Sequence, residues 1–244
     1  MSRGADANRL TSDRHTTPLH IAAERGFANI VTELVDGGAD ADGLVAGACP
    51  ADVTDTPLVV AVNHGHVSCV AELLQAGANQ NVVDVRGKSP AQLAVLNDDV
   101  ACVRLLLDQS PGPNDVADLL GLSIVSGESC DVVEALIKSG RCDVEDGGSR
   151  SPARPLMLAA LKGRSDIVDL LLDCGAEVDA RLMDDQDLQR LTALQFAVSA
   201  AVDPHYRADY CRRCVSLLDH WLPYYSATLL HCIRTRAFGR KRGV

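Results

Sequence analysis

The stretch Thr17–Asp42, TPLHIAAERGFANIVTELVDGGADAD, contains the signals for two short helices and for the turns that end them. Thr17 can accept a hydrogen bond from an unpaired N–H of the first helical turn, and Pro18 suits the first helical position because its ring presets φ. Gly26 can adopt the left-handed conformation that ends a helix. A second apolar run at helical spacing leads to Gly37-Gly38; it comprises Ile30, Val31, Leu34 and Val35. The stretch therefore predicts a helix, a turn and a second helix.

The opening of this stretch recurs along the chain. Thr56-Pro57-Leu58 repeats it, and Ser89-Pro90 follows Thr56 by 33 residues. Asp84-x-x-Gly87 supplies a turn before the third opening. A period of 33 residues with a turn and two helices is that of ankyrin repeats, and TPLH is part of their pattern. The chain therefore resembles the ankyrin-repeat family over about residues 4–220.

The resemblance implies an all-α fold, an α-solenoid of about six helix-turn-helix repeats joined by β-hairpin-like loops. It also implies a protein that binds other proteins and is not an enzyme. We expect residues 1–16 to be the remnant of a preceding repeat's loop, residues 17–222 to be the array, and residues 223–244 to be a C-terminal cap or adaptor helix with a basic tail. The first repeat would expose its upstream apolar face, so we expect a preceding N-terminal portion or a covering partner.

The repeats differ in regularity. The fourth, about residues 114–140, lacks the Thr-Pro opening, whereas the fifth, which begins at Pro155, is as regular as the first. The sixth begins at Thr192. Coupling between neighbouring repeats should be weakest where the pattern fails, at Ser110–Gly127. We therefore expect a distorted junction there and separate unfolding of the two halves.

Two enlarged loops, Gly43–Asp55 and Ala180–Leu191, are candidates for contact with a partner. Insertions in solenoids often lie on the binding face, although tolerated drift in loop length explains them equally well. The candidate partner-binding residues lie in or beside loops and are charged; they are Asp42, Asp52, Asp55, Arg86, Arg181, Asp184 and Asp185.

The formal net charge of −10 is unevenly distributed. Residues 26–85 hold eight acids and no Lys or Arg, while residues 205–244 hold eight bases and two acids. An acidic array repels nucleic-acid phosphates and favours protein partners with a basic surface. The alternative is that these charges merely solvate the loop tips.

The cysteines and the N-terminus indicate an intracellular protein. The nine cysteines show no disulfide spacing, and Met1–Asn8 lacks the apolar core of a signal peptide. No apolar run reaches the ~18 residues that span a bilayer, so we expect no membrane contact and a cytoplasmic location. Arg240-Lys241-Arg242 fits either a short nuclear address or a solvated terminus. We expect Cys69 and Cys102 to be small buried hydrophobes.

No stretch carries a complete catalytic, cofactor or metal motif. Gly87-Lys88-Ser89 resembles the end of a phosphate loop, but Val82 stands where that loop needs its first glycine. Gly121-x-Ser123 lacks the second glycine of a nucleophile elbow, since Val125 takes its place. Cys211 and Cys214 with His205 and His220 could supply zinc ligands, but a continuous amphipathic helix explains the same residues. We expect no cofactor and no metal.

The tail supports two main interpretations. Thr228-Leu229-Leu230-His231 echoes Thr17–His20, as a capping seventh repeat would. Thr228–Arg234 is also similar to the S-L-x-H-L-C-R start of a SOCS box, which implies elongin C as partner and a substrate-recognition subunit of a cullin-type ubiquitin ligase. Leu229 and Ile233 would then contact the adaptor. Ile233 occupies the motif's cysteine position and the Leu-Pro-rich second part is absent, so we favour the cap.

Overall fold

The computed structural model describes residues 6–11, 16–43, 55–109, 116–127, 129–148 and 153–177. These ranges hold ten helices and no strand. The helices are α1 (Pro18–Arg25), α2 (Ala28–Asp36), α3 (Pro57–Asn63), α4 (Val67–Gln75), α5 (Pro90–Leu96), α6 (Val100–Gln109), α7 (Val116–Ser126), α8 (Asp131–Lys138), α9 (Pro155–Lys162) and α10 (Ser165–Asp173). They form five consecutive helix-turn-helix repeats, as expected. The predicted sixth repeat and the tail lie outside the described residues.

The chain divides into two compact units, residues 1–114 and 115–244. In the first unit, α1, α3 and α5 pack side by side, and so do α2, α4 and α6. In the second unit, α7 packs on α8 and on α9, and α9 packs on α10. The boundary falls inside Ser110–Gly127, where the repeat pattern fails. The fourth repeat also departs from the others in its first helix, because α7 has 11 residues while α1 and α9 have 8.

The first helices of the first unit begin at hydroxyl N-caps followed by proline. The side chains of Thr17, Thr56 and Ser89 each accept a hydrogen bond from the backbone N–H three residues later, at 3.4, 3.4 and 3.3 Å. Each hydroxyl therefore satisfies one of the N–H groups that a helix start leaves unpaired. The predicted role of the Thr-Pro and Ser-Pro openings is confirmed.

His20 closes a capping box and also joins the first repeat to the loop that follows it. The backbone N–H of Thr17 donates to Nδ1 of His20 at 3.2 Å, and the ring also hydrogen-bonds to the backbone of Asp55. Because Nδ1 accepts, the hydrogen is on Nε2, which leaves the ring neutral. A Cβ added at Gly43 would lie 2.3 Å from Cε1 of His20, so the ring packs directly against that glycine. Burial lowers the pKa of His20, although the hydrogen bond and the charge of Asp55 oppose the shift.

The turn between the two helices of a repeat needs a left-handed residue. Gly26 and Gly65 adopt φ of 74° and 68° there, as the sequence pattern predicts. In the third repeat Asp98 stands at this position and has φ of 55°. Aspartate is among the few residues that tolerate this conformation, so the third repeat keeps the turn without glycine.

The second helices contribute a leucine at the same position of successive repeats. Leu73 and Leu106 in the first unit are 0% and 1% exposed, and Leu136 and Leu171 in the second unit are both 0% exposed. Cys69 and Cys102 are fully buried in the first unit, which confirms that they behave as small hydrophobes. Burial raises the pKa of both thiols, that of Cys102 to about 12.

Several apolar side chains of the first repeat lack this burial. Ile21, Phe27 and Ile30 are 43%, 53% and 45% exposed, and Leu34 is half-buried. The residue equivalent to Leu34 in the second repeat is Leu73, which the first repeat helps to cover. These exposures agree with the predicted exposed upstream face, which stays a prediction together with a covering partner or a preceding segment.

We expect Leu73→Ala to lower the free energy of unfolding by about 2–5 kcal/mol, because it leaves a cavity between packed helices. Leu171→Ala should do the same in the second unit. Leu34→Ala is the matched control, since it removes the same atoms from the same repeat position where water already reaches them. Its cost should be clearly smaller. Urea unfolding followed by circular dichroism measures all three, and equal losses for Leu34 and Leu73 would contradict this account of the core.

The neutral ring of His20 makes stability depend on pH. Because the folded pKa lies below the ordinary value of 6.5, the unfolded chain takes up a proton first as the pH falls below 6.5. Stability is therefore full above pH 6.5 and declines below it, by at most about 1.4 kcal/mol per pH unit for one proton, until the folded pKa is reached. His20→Gln should remove this part of the decline.

The third repeat shows why glutamine is the right replacement. Gln92 accepts from the backbone N–H of Ser89 at 3.2 Å, so glutamine closes the same box without titrating. His20→Ala, which loses the box, should lower stability at every pH. Urea unfolding at pH 5 and pH 7.5 compares the variants. An unchanged pH dependence in His20→Gln would show that His20 is not the group responsible.

Candidate protein-interaction surface

Side-chain to backbone hydrogen bonds join consecutive loops of the first unit. Asn8 accepts from the backbone N–H of Asp40 at 2.8 Å and donates from its amide to the carbonyl of Gly38 at 3.1 Å. The segment 6–11 therefore stacks on the loop of the first repeat. The interpretation of residues 1–16 as the remnant of a repeat loop agrees with these bonds and stays a prediction.

Two of the predicted partner-binding acids make the same kind of contact. Oδ1 of Asp42 accepts from the backbone N–H of Asn79 at 2.7 Å, and Oδ1 of Asp55 accepts from that of Val85 at 3.2 Å. Each carboxylate thus binds the next loop of its own chain. The sequence did not indicate this role, because the contacts join residues 37 and 30 positions apart.

The turn between α4 and α5 is organised by one buried carboxylate. Oδ1 of Asp84 accepts from the backbone N–H groups of Arg86 and Lys88 at 2.9 and 2.6 Å. The backbone of Asp84 also bonds to Lys88 and Gly87. The predicted turn at Asp84-x-x-Gly87 is confirmed, and Lys88 and Ser89 lie in a turn and an N-cap.

Three side chains project from this turn. Val83 and Val85 are 57% and 74% exposed, while Asp84 between them is 7% exposed. Arg86, one of the predicted contact residues, is also exposed. The two valines were missed as candidates. The sequence alone could have indicated them, because a turn-forming aspartate whose side chain points into the turn predicts that the side chains on either side of it point outward.

In the second unit, α9 has no hydroxyl N-cap, and three charged residues form a cluster that includes its N-cap residue. Arg154 precedes Pro155 where the first repeat has Thr17, and its side chain makes no capping bond. Its guanidinium instead forms an ion pair with Glu145 and lies 3.9 Å from Oε2 of Glu177. Glu145 also accepts from the backbone N–H of Glu177 at 2.6 Å. Here too an acidic side chain joins two consecutive loops.

The remaining candidates are either in ordinary structural positions or outside the described residues. Ser123 lies inside α7, is 1% exposed, and donates to the carbonyl of Leu120 at 2.8 Å. In the described ranges no helix is long and apolar enough to cross a membrane, and no group of three potential metal ligands occurs. The following candidates lie outside the described residues: Asp52, Arg181, Asp184, Asp185, His205, Cys211, Cys214, His220, Leu229 and Ile233.

Comparison with solved structures supports the architecture. The ankyrin repeat domain of Bcl-3, a member of the IkappaB protein family, is 27% identical with a TM-score of 0.64, and the match covers 85% of each chain. The human ASB11 ankyrin repeat domain is 25% identical with a TM-score of 0.60, and the match covers 86% of this chain and 88% of that one. No curated protein sequence matches this chain significantly.

Family sequence profiles match most of the chain. A profile of three ankyrin repeats matches residues 43–117 and 120–205, and a profile of a single ankyrin repeat matches residues 14–43. Together with the five helix-turn-helix repeats, these matches show that the chain belongs to the ankyrin-repeat family.

Proposed function

We propose that this chain is a non-enzymatic scaffold that binds protein partners through the concave face of its ankyrin array, with loop tips and first helices as the contact surface. The observation that carries the proposal is the turn between α4 and α5. It presents two exposed valines and an arginine on a backbone whose N–H groups from Asp84 to Ser89 are hydrogen-bonded within the chain. A rigid loop that exposes apolar side chains is ready to bind without a large ordering cost.

The first helices supply the rest of the surface in the first unit. Because α1, α3 and α5 pack side by side, exposed residues near their C-terminal ends lie on neighbouring helices. Arg25, Asn63 and Leu96 are exposed at these ends. A fold of this kind indicates binding in general, whereas the partner is selected by such variable surface positions.

The proposal can be tested by affinity purification with mass spectrometry, using two matched triple variants. One variant combines Arg25→Ala, Asn63→Ala and Leu96→Ala on the first helices. The control combines Glu33→Ala, Ser68→Ala and Arg104→Ala, which are exposed on α2, α4 and α6. We expect partners of the wild type to persist with the control and to be depleted with the first-helix variant.

Recovery of no partner by the wild type, or equal recovery by both variants, would count against this surface. A purified partner then allows its dissociation constant to be measured against salt. If the acidic loop Gly43–Asp55 contacts a basic partner, affinity should fall as salt screens the attraction. A salt-independent affinity would indicate an apolar contact instead.

The alternative function, substrate recognition for a cullin-type ubiquitin ligase, rests on the sequence of Thr228–Arg234. We expect the tail to act as a cap, with Leu229 and Leu230 packed on the sixth repeat. Ending the chain after Pro223 should then expose apolar surface, lower the melting temperature and promote aggregation. Co-purification of elongin C with the full chain, lost in Leu229→Ala at an unchanged melting temperature, would instead establish the adaptor role.

A further inference from the structure

The tip of the turn between α4 and α5, defined as Val83, Val85 and Arg86, has a composition that restricts what it can bind. In the first unit it carries the two most exposed large hydrophobic residues of the described ranges. The corresponding loop of the second unit, residues 141–148, exposes polar residues instead, namely Arg141, Asp143 and Asp146. The apolar tip is therefore a property of one loop and not of the repeat pattern.

From Asp84 to Ser89, the backbone of this turn has no N–H left for a partner. The N–H of Asp84 donates to the carbonyl of Lys88 at 2.8 Å, and that of Val85 donates to Oδ1 of Asp55 at 3.2 Å. Oδ1 of Asp84 accepts from the N–H groups of Arg86 and Lys88 at 2.9 and 2.6 Å, and the carbonyl of Asp84 accepts from Gly87 at 2.9 Å. The N–H of Ser89 donates to Oε1 of Gln92 at 3.2 Å. A partner strand that needed these donors could not pair here. Recognition along Asp84–Ser89 therefore cannot use backbone N–H donors, which leaves the exposed side chains as the main contacts.

The side chains offer an apolar pair and one cation. Val83 and Val85 flank the buried Asp84, so both point away from the turn, and β-branched side chains lose little freedom on binding. Arg86 makes no ion pair within the described residues. Asp84 within the turn, and Asp55 of the preceding loop, already accept backbone N–H groups of the turn. A planar guanidinium beside apolar surface suits a carboxylate, which it can bind through two parallel hydrogen bonds.

We propose that this tip docks a peptide segment of a protein partner that places aliphatic or aromatic side chains on Val83 and Val85 and an Asp or Glu carboxylate on Arg86. The proposal rests on the proposed scaffold function and specifies the chemistry of one contact. It differs from the basic partner expected from net charge, because Asp42, Asp55 and Asp84 accept backbone N–H groups of the chain itself, whereas the cation is exposed.

The test is selection from a peptide library displayed on phage, with the full chain as bait and isothermal titration calorimetry of the selected peptides. We expect enriched peptides to combine apolar residues with Asp or Glu. Arg86→Glu should weaken their binding by on the order of tenfold or more through like-charge repulsion, and Val85→Thr, which keeps shape but replaces a methyl group by a hydroxyl, should weaken it less. Replacing the peptide's acid by Lys should restore binding to Arg86→Glu.

Arg104→Glu, the same charge reversal at an exposed position on α6, is the control and should leave affinity unchanged. Melting temperatures verify that each variant folds. Enrichment of basic peptides, or of none, overturns the proposal, and so does indifference to both tip variants. If peptide binding is weakened only by the Arg25, Asn63 and Leu96 triple variant, the proposed contact is wrong while the scaffold function stays intact. The scaffold function itself fails only if the intact chain captures no partner.

Discussion

The structure depends on one constraint: a pair of helices of about eight residues each cannot cover its own apolar side chains. Each helix pair therefore buries its apolar side chains against the neighbouring repeats. Leu34 and Leu73 occupy the same position in consecutive repeats, yet the first is half-buried and the second is fully buried. The difference comes from what lies upstream, because the local sequence around the two leucines is equivalent. The stability of such a chain therefore comes mainly from the contacts between repeats.

The local part of this architecture could be predicted from the sequence. Hydroxyl caps, N1 prolines, turn glycines and the Asp84-x-x-Gly87 turn all act within a few residues, so their signals stand next to the structures that they form. Five of the six expected repeats lie within the described residues and are present. The burial of Cys69 was also predictable, because its position in the repeat is visible in the sequence.

The candidate site was less predictable, for a physical reason. Asp42 and Asp55 look like free surface charges in the sequence, but each accepts a backbone N–H from the following loop. Arg154 looks like a failed N-cap and is instead paired with Glu145. Such contacts join residues that are distant in the chain, and only the stacking of loops brings them together.

The contacts of His20 have a consequence for how this chain can change over evolution. Its ring packs on Gly43 at one end of the enlarged loop and bonds to Asp55 at the other end. Asp42 and Asp55 also join each end to the next loop, between α4 and α5. Both ends of the insertion are thus fastened to the array, and doubling the length of a flexible loop between fixed ends costs only about 0.6 kcal/mol of closure entropy. We therefore expect changes of length between these two ends to cost the array little free energy, so that new sequences can be tried there while the repeats stay as they are.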